Sequence, residues 1–373
     1  MGKHRIIAAG HICLDITPVF PAGKAMRKVS EMLIPGKLVE MDAASVHTGG
    51  SVANTGLALK KLGNQVTLLG KVGKDAFGAM VQNILAGHGA GGLIVDEGST
   101  TSYSVVLALP GIDRMFLHHP GANDTFAADD VPEEVLANAQ LFHFGYPPLM
   151  KRMYRNDGAE LEKMMRRVKE KGVATSLDMA AVDAHGEGGK VDWESLLSSV
   201  LPHVDFFVPS FEELCFMLDR PLFDRLTAAG TDCTDGLDAM QYAMPLAEKC
   251  LQMGCGVVMI KCGLAGLLWK AANRQRIAKI GGSRQMNASL WAEQWGCQPC
   301  YQADIVRSGA GAGDVTIAAW LTAVLDGETP AECAKIAAAE GAASVTSYDA
   351  LGGIMSLEDI RKRLADGWKL RGE

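Results

Sequence analysis

Short, mostly apolar runs alternate with longer helical patterns over most of this chain, and this alternation constrains the fold more than any other feature. Runs of this kind are typical of strands that are buried on both faces of a parallel sheet. The runs lie at 141–144, 174–177, 206–208 and 257–260, and helical patterns lie at 157–171, 193–200 and 237–253. The pattern predicts an α/β fold with a doubly wound, mainly parallel sheet flanked by helices, formed as one domain over residues 1–373.

Two stretches break this alternation and favour β-strands instead. The first covers 12–47, and the second, 101–119, is typical of a hairpin with its turn at 110–113. Together they predict a small β-sheet, over 12–49 and 99–120, that projects from the main body. This sheet could be peripheral, or it could be a lid that closes over a substrate and excludes water.

Two helices are predicted to begin at capping residues near the amino terminus. One covers 51–62 with Ser51 as its N-cap, and the other covers 75–85 with Asp75 as its N-cap.

A glycine-rich turn runs from Ser308 to Asp314, with glycine at every second position before the aspartate. A β-rich stretch at 301–306 precedes it and an apolar helical pattern at 312–325 follows, so we expect a strand, a turn and a helix. The free N–H groups of a helix start attract an anion, and glycine lets the backbone approach a phosphate closely. A phosphate repels a carboxylate, so Asp314 is better suited to take a proton from a hydroxyl that attacks phosphorus. The structural alternative is a tight turn followed by a helix cap.

Several other functions are disfavoured by what the sequence lacks. The motifs GxxxxGK[ST], HExxH and GxSxG do not occur. A dinucleotide fingerprint is improbable because Asp314 stands where its third glycine belongs. Lys and Arg number 36 against 43 Asp and Glu, with no long basic run, so a nucleic-acid partner is not expected. No apolar stretch reaches the roughly 20 residues that span a bilayer, so a membrane partner is not expected either.

Nine scattered cysteines favour a reducing, cytoplasmic setting over a disulfide framework. Cys297 and Cys300 form one CxxC motif, but a zinc site would need a second pair or nearby histidines. They lie in an irregular stretch, 271–300, to which the sequence assigns no role.

Two separated signatures resemble those of the ribokinase-like (PfkB) carbohydrate kinases. The first consists of HTGGSVANTG at 47–56 and GKVGKDAFG at 70–78, and the second is the glycine turn that ends at Asp314. The resemblance covers essentially the whole chain. It implies a kinase that uses ATP and Mg²⁺ to phosphorylate a primary hydroxyl of a sugar or sugar-like substrate.

The resemblance also implies roles for the residues that match the motifs. Asp314 matches the catalytic base, and the N–H groups of Gly311, Ala312 and Gly313 match an anion hole for the transferring phosphoryl group. Predicted substrate contacts match the family at most positions, and Asp178 is added because it ends a strand at the edge where ligands bind in open α/β sheets. These predicted contacts are Asp15, Gly49, Gly50, Asn54, Asn123 and Asp178.

The nucleotide and metal sites depart from the family pattern in two places. Predicted nucleotide-binding residues are Ser210, Lys261, Gly263 and Gly266. Ser210 replaces the Asn of an Asn-x-x-Glu motif, while Glu213 keeps the acid that would organise magnesium through water. Ser308 replaces an aspartate of the family's monovalent-cation site, so potassium activation is not expected.

Three readings of the function remain open on the sequence alone. The first is a sugar kinase, the second is a nucleoside kinase of the same fold, and the third is a non-catalytic sugar or nucleotide sensor. Apolar alternation at 103–109 is compatible with a homodimer that pairs through the lid, although this face could equally line the cleft.

Overall fold

The computed structural model describes residues 3–21, 28–112, 114–228, 232–282 and 286–372. Within these residues there are fourteen strands and fourteen α-helices. The strands are β1 (Arg5–Gly10), β2 (Cys13–Val19), β3 (Asp42–Gly49), β4 (Gln65–Leu69), β5 (Lys71–Gly73), β6 (Ile94–Asp96), β7 (Tyr103–Leu107), β8 (Met115–His119), β9 (Leu141–Gly145), β10 (Ala174–Asp178), β11 (Phe206–Phe207), β12 (Val257–Lys261), β13 (Leu267–Ala271) and β14 (Trp295–Gln298). The helices are α1 (Ser51–Lys61), α2 (Ala76–Gly87), α3 (Glu133–Leu136), α4 (Lys151–Tyr154), α5 (Ala159–Glu170), α6 (Trp193–Val200), α7 (Phe211–Leu218), α8 (Arg220–Thr227), α9 (Ala239–Gln252), α10 (Arg274–Ile277), α11 (Ala288–Trp291), α12 (Ala312–Asp326), α13 (Pro330–Ser344) and α14 (Leu357–Ala365).

The main sheet has eight strands in the order β14-β13-β12-β11-β10-β9-β1-β4. Pairing is parallel from β12 to β4, and antiparallel where β13 and β14 extend the edge. The predicted α/β fold with a mainly parallel sheet is therefore confirmed. The short apolar runs in the sequence are its central strands, where burial on both faces removes the need for polar alternation.

Helices cover both faces of this sheet, and successive strand residues point to opposite sides. Ile7 and Val258 pack in the core with α5, α6, α7 and α9, whereas Ile6 and Val257 pack in the core with α12, α13 and α14. With a core on each face, the sheet is fixed, and the carboxyl ends of its parallel strands lie side by side.

A second sheet, which we call the lid sheet, has the order β3-β2-β7-β8. The predicted hairpin is present, since β7 and β8 pair in antiparallel register with Val105 opposite Leu117. Part of the predicted lid, at 22–27 and at turn residue 113, lies outside the described residues. Only residues 11 and 12 separate β1 from β2, so the lid sheet begins directly where the main sheet ends.

The stretch at 301–306 was predicted to form a strand, and this prediction was wrong. Tyr301 makes one isolated bridge to Leu370, after which the chain passes along the surface. Val306 is 73% exposed, so its β-branched side chain gains nothing from sheet packing.

Ser51 was predicted to cap α1, and this prediction was also wrong. Gly50 occupies the N-cap position, and the Ser51 hydroxyl instead lies 3.3 Å from Nε2 of the buried His143. The prediction for α2 was correct, because Asp75 is its N-cap and accepts from the N–H of Gly78. Among the described residues, no helix is both long and apolar enough to cross a membrane.

Candidate active site

The site is built at the carboxyl edge of the main sheet, where parallel strands end side by side. Gly145 pairs with both Gly10 and Asp178, which brings the ends of β1, β9 and β10 into line. Lys261 at the end of β12 forms a parallel bridge with Ser210. Open α/β sheets bind ligands beyond this edge.

Asp314 lies above this edge in the first turn of α12, and three side chains donate to its buried carboxylate. The Thr55 hydroxyl donates to Oδ1 at 2.7 Å, and the Tyr146 hydroxyl donates to Oδ2 at 2.8 Å. The Asn54 amide donates to Oδ2 at the longer distance of 3.2 Å. These donors come from α1 and from the end of β9, so the carboxylate is held at both oxygens before any ligand is present.

The glycine turn brings the start of α12 to the same place. Gly311 is the N-cap in a left-handed conformation, with φ 72°, and a Cβ built there would overlap the Cβ of Ala350. The N–H of Ala312 donates to the carbonyl of Gly309 at 3.3 Å. Among the described residues, the N–H groups of Gly311 and Gly313 have no backbone acceptor, as an anion site at a helix start requires.

A buried ion pair flanks this turn. Lys261 Nζ lies 2.7 Å from Oδ1 of Asp178, and it is 3.9 Å from the position that a Cβ of Gly313 would take. Burial alone would lower the pKa of Lys261, but Asp178, Glu213 and Asp314 together raise it. The lysine therefore stays cationic beside the free N–H groups, which suits a negatively charged group there.

The other end of the site joins the main sheet to the lid sheet. The Asp15 carboxylate lies next to Gly49, so close that a Cβ on residue 49 would overlap it. Burial raises the pKa of Asp15, although hydrogen bonds from Cys13 and Ser104 oppose the shift. A larger residue at position 49 would fill the space in front of this carboxylate, so the glycine keeps it open to a polar ligand.

Two histidines meet between this end and Asp314. Nε2 of His11 lies 3.3 Å from Nε2 of His118, which belongs to lid strand β8. Burial lowers the pKa of both rings, and a neighbouring histidine lowers each pKa further, His118 for His11 and His119 for His118, so both rings are neutral. Among the described residues, Nδ1 of His11 has no partner, and it lies 2.6 Å from where a Cβ of Gly50 would be.

The carboxamide of Asn123, a predicted substrate contact, already has backbone partners. Its oxygen accepts from the N–H of Ile12, and its nitrogen donates to the carbonyls of Ile12 and Pro120. These bonds tie the end of the lid hairpin to the joint between the two sheets. A substrate contact from Asn123 stays a prediction, and it would require one of these bonds to be exchanged.

Ser210 and Glu213 form a capping box at the start of α7. The Ser210 hydroxyl accepts from the N–H of Glu213 at 3.2 Å, and a Glu213 oxygen accepts from the N–H of Ser210 at 2.6 Å. The sequence shows this S-x-x-E spacing, which we interpreted only as an altered metal motif.

The loop between β12 and β13 contains the predicted nucleotide glycines. Gly263 and Gly266 both have positive φ, and a Cβ at Gly266 would overlap the carbonyl oxygen of Gln298. Cys300 Sγ donates to the Gly263 carbonyl at 3.3 Å, whereas Cys297 contacts Met240, so the two cysteines of the CxxC motif have different partners.

The donor set can be compared with what magnesium needs. In the described part of the chain, no group of three or more His, Cys, Asp or Glu side chains could hold a metal ion by itself. Magnesium in kinases usually takes one or two carboxylates, with water and substrate phosphates as its other ligands. Glu213, with Asp178 and Asp314 nearby, fits a magnesium ion that arrives with a nucleotide.

Sequence reasoning missed Thr55, Tyr146, His11 and His118. A signal existed for Tyr146, because it follows a buried strand as Asp178 does, and the rule that selected Asp178 applies to it equally. The histidines carried no such signal, since their pairing depends on how the lid sheet folds back.

Comparisons with known proteins identify the family to which this chain is similar. The model for the pfkB family carbohydrate kinases matches residues 19–355. Probable fructokinase-4 of Arabidopsis thaliana is 34% identical over 230 residues, which is 61% of this chain and 65% of that protein. Fructokinase-1 of Zea mays is 30% identical over 181 residues, 48% of this chain and 51% of that protein. The chain thus spans about half to two thirds of the length of these curated relatives.

Solved structures match over nearly the whole chain. The ribokinase of Arabidopsis thaliana complexed with ribose and ATP has a TM-score of 0.68 and 20% identity, covering 98% of this chain and 99% of that one. The fructokinase with bound ATP from Xylella fastidiosa has a TM-score of 0.68 and 19% identity, covering 97% and 98%. At these identities the likeness concerns the fold.

Proposed function

Because this chain belongs to the PfkB family of carbohydrate kinases, we propose that it transfers the γ-phosphate of ATP to a primary hydroxyl of a sugar or sugar-like acceptor. The observation that carries the proposal is the carboxylate of Asp314, held by three donors beside a helix start where, among the described residues, the N–H groups of Gly311 and Gly313 have no backbone acceptor. A base next to an anion site is what transfer to a hydroxyl needs.

In the proposed reaction, Asp314 takes the proton of the acceptor hydroxyl at Oδ2. The hydroxyl oxygen forms a bond to the γ-phosphorus while the bond from that phosphorus to the β,γ-bridging oxygen breaks, leaving ADP. The N–H groups of Gly311 and Gly313, with the Lys261 ammonium, stabilise the charge on the transferring group. Glu213 would hold magnesium through water, and the ion would neutralise phosphate charge.

The acceptor is proposed to lie between the lid sheet and Asp314. Asp15 can accept two hydroxyl hydrogen bonds, which suits a polyol, and Gly49 and Gly50 leave room for it. Asn54 already donates to Oδ2 of the base, at the position that the acceptor hydroxyl would take. The relatives named fructokinases make fructose the first acceptor to test, with ribose and nucleosides next.

The decisive variant is Asp314→Asn, assayed by ADP release with magnesium over a panel of sugars and nucleosides. We expect turnover to fall by roughly 10²–10⁴-fold, the usual contribution of a general base, with folding and nucleotide binding retained. Asp75→Asn is the matched control, because asparagine also caps a helix and the donors to Asp75, which are Gly78 and Thr101, differ from the three donors to Asp314. Full activity of Asp314→Asn would remove the base from the proposal. Acceptor binding without turnover in the unmodified protein would favour a sensor.

We also propose a homodimer through the lid sheet. Phe116 and Leu117, on opposite faces of edge strand β8, are 60% and 58% exposed, and burying either face against a second lid sheet would stabilise the pair. Light scattering that gives a monomer at assay concentration would contradict this.

A further inference from the structure

Tyr146 has a backbone conformation that its side chain disfavours. Its φ of 67° and ψ of 41° place it in the left-handed region, where a bulky residue is an outlier. Its backbone is held on both sides, because the N–H of Tyr146 donates to the carbonyl of Asp178 at 3.4 Å and its carbonyl accepts from the N–H of Leu149 at 3.0 Å. Pro147 also disfavours a right-handed helical conformation at the residue before it. Unfavourable backbone conformations that the surroundings enforce are concentrated at functional sites.

This conformation directs the tyrosine hydroxyl across the site. Oη donates to Oδ2 of Asp314 at 2.8 Å, between residues that are 168 positions apart. Burial, and the carboxylates of Asp314, Asp178 and Glu213, raise the pKa of Tyr146 well above its usual value. The phenol therefore stays protonated at any working pH and is a permanent donor to the carboxylate.

The tyrosine ring also contacts the joint between the two sheets. Its centroid lies 6.1 Å from that of His11, and His11 in turn contacts His118 of the lid. The titratable groups around the phenol are therefore Asp314, Asp178, Glu213 and the neutral His11, with Lys261 paired to Asp178 and His118 in contact with His11.

We propose that Tyr146 is a positioning residue for Asp314, a role that rests on the proposed kinase function. Thr55 fixes Oδ1 and Tyr146 fixes Oδ2, so the plane of the carboxylate is set before the acceptor binds. Asn54 makes the longest of the three contacts, and the acceptor hydroxyl takes its place on Oδ2. The left-handed backbone at Tyr146 directs this hydroxyl toward Oδ2 of Asp314.

The test is Tyr146→Phe, which removes one hydroxyl and keeps the ring. We expect kcat to fall about 10- to 100-fold, as for the loss of a hydrogen bond to a charged group, with KM for ATP unchanged. The acid limb of the kcat/KM profile moves to higher pH, because the carboxylate loses a donor that stabilises its charged form. Tyr154→Phe, which also loses one hydroxyl but packs against Trp193 outside the site, is the matched control and keeps full activity.

A double-mutant cycle with Thr55→Val gives a second measure that does not depend on absolute stability. If both hydroxyls position one carboxylate, their effects on kcat are not additive, whereas two merely structural losses add. Unchanged kcat with an unmoved acid limb, or additive losses that follow Tm alone, would overturn the inference. If Asp314→Asn is inactive while Tyr146→Phe behaves as the unmodified protein, only this inference fails. If Asp314→Asn is fully active, the proposed function fails first.

Discussion

Helices α2 and α12 each have an aspartate at their amino-terminal end, and the two carboxylates accept hydrogen bonds from different kinds of donor. Asp75 is the N-cap of α2, and it accepts from the N–H of Gly78 in its own helix at 2.8 Å. It also accepts from the N–H and the hydroxyl of Thr101 at 2.7 Å and 2.6 Å. Asp314 is the third residue of α12, and its donors are three side chains from other elements.

The difference shows what separates a cap from a candidate base. An aspartate at the N-cap uses its oxygens on the helix's own N–H groups and so cannot easily take a proton. In α12 a glycine takes the N-cap position, and among the described residues the N–H groups of Gly311 and Gly313 have no backbone acceptor, which leaves them for an anion. The three predictions below extend this contrast, in decreasing order of the effect that we expect.

Gly311→Ala should have the largest effect of the three. Alanine would need a left-handed backbone and would overlap Ala350, so the turn must move and the anion site with it. We expect kcat to fall roughly 100-fold or more, the scale for losing an oxyanion donor. Gly327→Ala at the other end of α12 is the control, because it has φ 85° but no atom within 4 Å of a new Cβ. Equal activity of the two variants would show that turn geometry does not matter.

Glu340 extends the comparison to a carboxylate in the middle of a helix. It is fully buried in α13, and burial raises its pKa to about 8 although the N–H of Met355 and Lys61 oppose the shift. The folded state therefore keeps a proton that the unfolded state releases above about pH 4.5. Stability should fall as pH rises from about 4.5 to about 8, by at most about 1.4 kcal/mol per pH unit.

Urea unfolding from pH 5 to pH 8 measures this slope. Glu340→Gln should flatten it, while Glu358→Gln, at an exposed position in α14, should leave it as it is. A slope that Glu340→Gln does not change would mean that other groups set the pH dependence.

Asp75→Ala should have the smallest effect, and on stability rather than on chemistry. Loss of an N-cap costs about 1 kcal/mol, and the bonds to Thr101 add somewhat to this. We expect a lower urea midpoint with kcat within about twofold of the unmodified protein, because the donors to Asp75 differ from the donors to Asp314. A large loss of kcat with normal stability would break the contrast between the two helix starts.

Much of the fold could be predicted from the sequence, because local patterns determine it. The apolar runs at 141–144 and 257–260 are parallel strands since only residues buried on both faces show such runs. The hairpin and the cap at Asp75 follow from turn and capping chemistry within a few residues. The stretch at 301–306 failed because β-branched residues form strands only where a sheet edge and burial are available, and the chain there is exposed.

The candidate site was only partly predictable. The motifs pointed to Asp314, Gly49 and Asn54. They did not indicate that the hydroxyls of Thr55 and Tyr146 donate to the Asp314 carboxylate together with Asn54. The contact from Tyr146 requires the end of β9 to lie next to the start of α12. Because these elements are far apart in the sequence, no local pattern predicts this. The S-x-x-E spacing predicts the capping box at Ser210, but we interpreted these residues only as an altered Asn-x-x-Glu metal motif.

The bond between Thr55 and Asp314 joins residues that are 259 positions apart. At 5–20 residues per second, the ribosome needs roughly 10–50 s to make the intervening chain. During that time α1 is already available, while the helix that covers it does not yet exist. The residues of α1 that pack against α12 stay uncovered until that helix is made. A nascent chain that has not reached residue 314 can therefore form strands but lacks the carboxylate of the candidate site.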